Sequence, residues 1–304
     1  MMNPTLIGNK KDEQMTFQNK LSKGDFVVLA EMNTPKGVDI SDLVTNVRHL
    51  KSRIDAVVIP DMDNGVMHMS ALAGGSIIRQ QGLEPVIHIY GRDRNQMAIQ
   101  GDMLAAHVLG IHNLLVVQGE NIIHGDHQNA KPVDDLNELD LLDMVQSLVK
   151  GTDLAGFELK GRPQFFTGCR VQPIRDDNHL EKEIISARAK IDAGAQYIMV
   201  PPVFDIAWYT HILKQFTSLN VPVIATVFML KNVGMARYLS INDPGSKLSE
   251  ELITRIRKAK DRETECIHIA GEMIKELKAE VEGIMISASG WEDRLPAILD
   301  CAGL

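Results

Sequence analysis

The chain has 304 residues, a net charge of −8 from 32 basic and 40 acidic residues, and three cysteines. That length holds one large barrel or two ordinary domains, and the mild acidity argues against a nucleic-acid-binding face. Cys169, Cys266 and Cys301 are scattered and form no CxxC pair, which excludes a disulfide framework and points to a reducing compartment. No apolar run reaches the ~18 residues of a membrane span, and the start, MMNPTLIGNKKDEQ, has no apolar core of signal-peptide length. The expectation is a cytoplasmic metabolic protein that meets neither membrane nor nucleic acid.

Residues 1–20 read as an N-terminal extension or helix, and 21–304 as a single domain. Within it, short runs that are apolar on both faces alternate with segments of helical period. The first strand is FVVLAE at 26–31, followed by a helix over 40–50 with Leu43, Val47 and Leu50 on one face and Asp42 near its start. AVVI at 56–59 is the second strand; Gly74-Gly75 in the next helical stretch lacks phosphate-loop spacing and reads as close packing. Gly82 closes that helix before PVIHIY at 85–90. Asn95 caps a helix over 96–109 whose apolar positions are Met97, Met103, Leu104 and Val108, and Gly110 precedes the fourth strand, LLVVQ at 114–118. A polar loop, 125–135, leads to a helix over 139–149 with Leu142, Val145 and Leu148 inward. QFFTGCRV at 164–171, a helix over 180–191 with Ile184, Ala187 and Ile191, Gly194, and YIMVPPV at 197–203 follow. PVIATV at 222–227 and GIMISA at 283–288 are the last two strands, and 249–277 is long enough to be two helices.

Eight strand–helix units of about 38 residues each suit a (β/α)8, or TIM, barrel. The rival, a doubly wound open sheet, offers a glycine-rich phosphate turn after its first strand; here that strand runs into EMNTPKG. In a barrel, chemistry sits at the C-terminal ends of the strands. Those ends carry Glu31, Pro60-Asp61, His88, Arg92-Asp93, Gln118-Gly119-Glu120, Arg170, Gln172, Pro201-Pro202, Asp205, Thr226 and Ser287. A carboxyl in such a partly dried cup is suited to general-acid work, which singles out Glu31 and Glu120 over the alternative of solvated loop acids. His88, flanked by apolar residues, reads on pattern as a core histidine before a ligand. His124, Asp126 and His127 resemble a metal cluster, but no third ligand has defined spacing, so no metal is expected. Cys169 reads as a buried small thiol.

The order of several motifs resembles one family. EMNTPKG at 31–37 is similar to the E-x-x-P-P-K-G of the methylenetetrahydrofolate reductases, in particular the short form of acetogen-type folate pathways. GRDRN at 91–95, GDHQNAKPV at 125–133, DAGA at 192–195 with VFD at 203–205, MARY at 235–238 and SGWEDRLP at 289–296 extend the likeness nearly end to end. It implies a barrel with FAD at the strand ends, NADH or NADPH as donor, and reduction of 5,10-methylenetetrahydrofolate to 5-methyltetrahydrofolate. By position it makes Glu31 and Glu120 catalytic, assigns His88, Arg92, Asp93, Gln118, Arg170, Gln172 and Lys190 to the cofactor, and Pro201, Asp205 and Leu239 to the substrate.

Four strand ends depart from that family. Pro60 stands where the family offers a flavin contact, and proline has no N–H to give. Arg170 replaces a small residue, Pro201 a glutamine, and Ala225-Thr226 a Pro-Gly pair. These departures point to a remodelled site: an altered donor such as a redox partner subunit, or a flavin-free methyl-transfer barrel with a corrinoid partner, or a non-catalytic paralogue. A homo-oligomer or hetero-complex is the expected assembly.

Overall fold

A computed structural model describes residues 16–304; the expected N-terminal piece lies outside them up to residue 15. Eight parallel strands close into one barrel in sequence order: β1 (Val27–Glu31), β2 (Ala56–Ile59), β3 (Glu84–Ile89), β4 (Asn113–Val116), β5 (Phe166–Arg170), β6 (Tyr197–Pro202), β7 (Val223–Phe228) and β8 (Gly283–Ser287). The helices are α1 (Phe17–Ser22), α2 (Ser41–Leu50), α3 (Ala71–Gln80), α4 (Gln96–Val108), α5 (Glu138–Lys150), α6 (Asp177–Asp192), α7 (Ile206–Thr217), α8 (Val233–Asn242), α9 (Glu250–Lys258), α10 (Arg262–Leu277) and α11 (Leu295–Ala302). The long segment 249–277 is two helices, α9 and α10, divided at Ala259.

Strand alternation sorts side chains between two cores. Val27, Leu29, Ala56, Val58, Val86, Leu115, Phe166, Tyr197, Met199, Ile224 and Met285 fill the barrel interior, and α1 plugs its N-terminal end with Phe17 and Leu21. Their neighbours, among them Val28, Val57, Ile87, Val116, Cys169 and Ile198, face the helix ring. Gly168 exists for this packing: a Cβ there would stand 2.2 Å from the Tyr197 ring, whose hydroxyl donates to the Leu114 carbonyl at 2.9 Å. Pro201-Pro202 sit inside β6 because the ladder to β7 shifts register between Val200 and Pro202, a place where missing N–H groups cost little.

The helix faces follow the periodicity in α2, where Leu43, Val47 and Leu50 are buried, and in α5, where Leu142, Val145 and Leu148 are. Gly82, Gly110 and Gly194 close their helices with positive φ, and Gly74 and Gly75 let α3 approach Thr34 and Ile111. In α4 the expected face is wrong. Ile99, Met103 and Ala106 are buried, while Met97 and Val108 are 76% and 83% exposed. Ala106 is a small residue whose neighbours fit close to the barrel, so it outcompetes the bulkier stripe that the hydrophobic count favoured.

Candidate functional site

The C-terminal rim of the barrel gathers ionisable groups on inward-facing positions. Glu31 ends β1, and Ser287, its partner across the β1–β8 ladder, donates to Glu31 Oε1 at 2.6 Å. Burial pushes the Glu31 carboxyl above its ordinary range; the Ser287 hydrogen bond and the charge of Arg170 pull the other way without reversing it. Arg170 ends β5 two residues beyond Gly168, so alternation aims it into the same mouth.

His88 and Tyr90 continue the interior face of β3. The histidine is 4% exposed; its Nδ1 lies 3.2 Å from the Tyr90 hydroxyl, and its Nε2 has no partner. Burial, then the Arg170 charge, hold its pKa down at about 3, so the ring is neutral. Arg92 stacks on the Tyr90 ring, 4.9 Å from its centroid. Its fork is spent: Nε and Nη2 donate to Asp93 at 2.8 and 2.7 Å, and the other contacts go to the Met62 and Glu120 carbonyls at 2.9 and 3.1 Å. Glu120 is exposed on the rim, with a carboxylate oxygen 3.8 Å from Arg92.

Gly119 has φ +74°, and a Cβ on it would stand 2.7 Å from the Tyr90 ring. Glycine alone meets both demands, which brings the loop after β4 onto the aromatic floor of the mouth.

Asp63 was not among the predicted residues, yet it belongs to this group. Met62 and Asn64 on either side adopt left-handed backbone, and this turn leaves Asp63 half-buried on the rim. Burial, then the nearby Glu120, raise its pKa. The signal available was the short polar run Asp61-Met62-Asp63-Asn64-Gly65 directly after a strand. Tyr90 and Ser287 were visible at strand ends but carried no assigned role.

The loops around the mouth are tied by the 125–133 motif. Gly125 packs against Gly65 so closely that a Cβ would meet the Gly65 carbonyl at 1.9 Å. Asp126 accepts from Lys36 and from the Met67 amide, and its pKa lies below the usual carboxylate range, chiefly through the Lys36 hydrogen bond. This acid clamps the loops after β1, β2 and β4 together. Among the described residues no group of three or more His, Cys, Asp or Glu side chains could hold a metal ion.

The other expected residues pair within the scaffold, pack into it or face solvent. Lys190 is 3% exposed on the helix side of the strands, donating to Glu138 at 2.8 Å and to the Arg170 carbonyl at 3.0 Å. Asp205 caps α7 by accepting from the Trp208 amide at 2.9 Å. Leu239 packs against the outer core, Pro201 is buried, Gln118 is exposed, and Gln172 offers its backbone N–H to Glu183 at 3.0 Å. The Cys169 thiol, facing the helix ring, is pushed up to about 12 by burial.

A flavin dinucleotide asks for unspent cations or open glycine turns at its pyrophosphate. The residues here suit it poorly: of Arg92, Arg94, Arg170 and Lys190, Arg170 alone is without a hydrogen bond or ion pair among the described residues. Arg92 is committed to Asp93; Arg94 to Asp61 at 2.5 Å and Asp102 at 3.3 Å; Lys190 to Glu138. Gly65, Gly91, Gly119 and Gly125 each lie against other protein atoms where a phosphate would need space. The starts of α6 and α7 are capped by Asp176 and Asp205, which oppose an anion.

No curated protein matches the chain. Among solved structures, a protein from Clostridium thermocellum that binds two copies of 5-methyl-5,6,7,8-tetrahydrofolic acid is similar at 14% identity and TM-score 0.66, covering 94% of this chain and 97% of that one. Tryptophan synthase from M. tuberculosis is similar at 11% identity and TM-score 0.50, covering 93% and 92%. At such identities both likenesses bear on the barrel alone. The sequence itself matches the methylenetetrahydrofolate reductase family over residues 16–303, and the chain belongs to that family.

Proposed function

We propose that the barrel mouth binds a reduced folate carrying a one-carbon unit, and that Glu31 is the general acid that opens the methylene bridge of 5,10-methylenetetrahydrofolate. The observation that carries this is the Glu31–Ser287 pair. Burial raises the pKa of the carboxyl and so favours its protonated, acid form. Transfer of that proton to N10 breaks the N10–methylene bond and leaves an N5 iminium, the acceptor for a hydride. Glu31 is then a carboxylate, and the Ser287 hydroxyl at 2.6 Å and the facing Arg170 charge stabilise it. Asp63 and Glu120 are placed to accept hydrogen bonds from the donor edge of the pterin.

Reduction to 5-methyltetrahydrofolate, the family's reaction, then requires a hydride from a donor such as a dihydronicotinamide or a redox partner subunit. Because the mouth does not suit a flavin dinucleotide, no step here is routed through one. Family membership and the folate bound by the Clostridium thermocellum protein support the ligand class.

The test is titration of the purified protein with 5-methyltetrahydrofolate, followed by assay of 5,10-methylenetetrahydrofolate turnover by wild type and Glu31→Gln. Saturable binding by both forms, with turnover lost in the variant, is expected. Wild type that binds no folate would sink the reading. A flavin absorption band in the protein as purified would overturn its flavin-free part.

A further inference from the structure

Two polar side chains on the floor of the mouth carry donors with no partner among the described residues. His88 Nε2 is buried without a hydrogen bond, although the other ring nitrogen faces the Tyr90 hydroxyl. A neutral ring that takes the phenol proton at Nδ1 carries its own proton on Nε2, so the unsatisfied atom is a donor. The Arg170 guanidinium is half-buried, and among the described residues it makes no hydrogen bond or ion pair, in contrast to Arg92 and Arg94. It acts on Glu31, Asp63 and His88 only through space. The strand end that carries it is fixed, since Lys190 holds the Arg170 carbonyl.

A buried donor left unsatisfied is costly, so a site of this make-up is matched to a ligand acceptor. Its neighbours narrow the ligand further. Asp63 and Glu120 supply acceptors on the rim beside these donors. Acceptors next to donors complement a planar edge that runs amine, ring N–H, carbonyl, which is the pyrimidinone edge of a pterin. A carboxylate tail would repel Asp63 and Glu120 and find better solvation outside the mouth.

Resting on the folate reading above, we propose that Arg170, with His88 Nε2, is the specificity-determining group that reads the 4-oxo group of the pterin. Arg170 then selects a 4-oxo ring over its 4-amino counterpart, which presents a donor where the guanidinium needs an acceptor.

The experiment is equilibrium binding of 6-methyl-5,6,7,8-tetrahydropterin and its 4-amino analogue to the full chain and to Arg170→Met, Arg170→Lys and His88→Phe. These probes lack a glutamate tail. Wild type should prefer the 4-oxo compound by roughly tenfold to a hundredfold, the range for a charge-assisted hydrogen bond. Arg170→Met should bring the ratio within about threefold by losing that bond, and Arg170→Lys should fall between. His88→Phe should weaken the 4-oxo compound and spare the 4-amino one. Melting temperatures show whether each variant is folded, and Arg170→Lys carries the test should the methionine variant not be. An unchanged ratio in a folded Arg170→Met overturns the proposal. Wild type that binds neither pterin nor folate is a different pattern and removes the folate reading itself.

Discussion

Gly119→Ala separates the two constraints placed on the loop after β4. The first is backbone: φ is +74°, and an L-residue held in that region costs roughly 1–2 kcal/mol. The second is space: the new Cβ would stand 2.7 Å from the Tyr90 ring, and overpacking of this kind costs roughly 1–3 kcal/mol. Together they predict about 2–5 kcal/mol of lost stability. An unfolding entropy of about 2.1 cal/mol/K per residue converts this into a fall of about 3–8 °C in melting temperature. Gly156→Ala is the control, because Gly156 has φ +88° with nothing within 4 Å of its Cβ position. It should lose only the backbone part, about 2–3 °C. Tyr90 must also move in Gly119→Ala, which strips His88 Nδ1 of its hydroxyl and weakens pterin binding. Thermal melts of the two variants against wild type, with a folate titration of each, decide the matter. If Gly119→Ala melts no lower than Gly156→Ala and binds folate as wild type does, the Tyr90 contact does not shape the mouth.

Four further outcomes follow from the same structure. Because burial raises the Glu31 pKa, the reactive acid form is lost as pH rises through that raised value, so turnover should fall on the alkaline side in a pH–rate profile. The buried carboxyl likewise favours folding at pH below its unfolded value and loses that contribution as pH rises through its folded one, so Glu31→Gln should gain in relative stability between acid and neutral melts. Lys190→Met leaves Glu138 facing a buried apolar chain, and breaking a buried pair from one side costs roughly 3–5 kcal/mol; denaturant midpoints should show it, with Lys190→Met/Glu138→Gln partly recovered. Thiol labelling of the native protein near pH 8 should reach Cys301 and spare Cys169, whose pKa is pushed up to about 12 and which faces the helix ring, as mass spectrometry of the labelled peptides will report.

The barrel was legible because its signals are repeated. Eight apolar runs, each followed by a helix-period segment and several closed by glycine, point to one answer, and single errors do not change it. The α4 face shows the limit: counting apolar residues cannot see that Ala106 fits the barrel surface better than Met97 or Val108. At the site, Glu31 and Arg170 were visible as charged residues at strand ends, whereas His88 read on pattern as a core histidine and gained a role only through the resemblance. The places of Lys190 and Asp205 were not legible, because a basic or acidic residue in a helix or at its start looks the same in sequence whether it pairs within the scaffold or faces a ligand. Asp63 was missed for a conformational reason. Its place depends on left-handed backbone at Met62 and Asn64, and neither residue type announces that geometry as glycine does.

The departures from the family's strand-end pattern become one physical argument when their surroundings are considered together. Arg170 brings a full cation onto the floor of the barrel, close enough to act on Glu31 and Asp63. Two carboxyls raised by burial both feel that cation, and Asp63 feels Arg92 as well. Replacing Arg170 with the small residue usual in the family would leave both acids without it and push them further up. The mouth would then favour the protonated forms of both acids more strongly and lose an unspent donor fork. The proline substitutions act differently. Pro60 and Pro201 are buried and withdraw N–H groups from the cup, so polar recognition at its floor passes to side chains from β3 and β5. Under the proposed reading, such a site keeps an acid at the end of β1 for ring opening, while the hydrogen bonds that choose the ligand would come from His88 and Arg170.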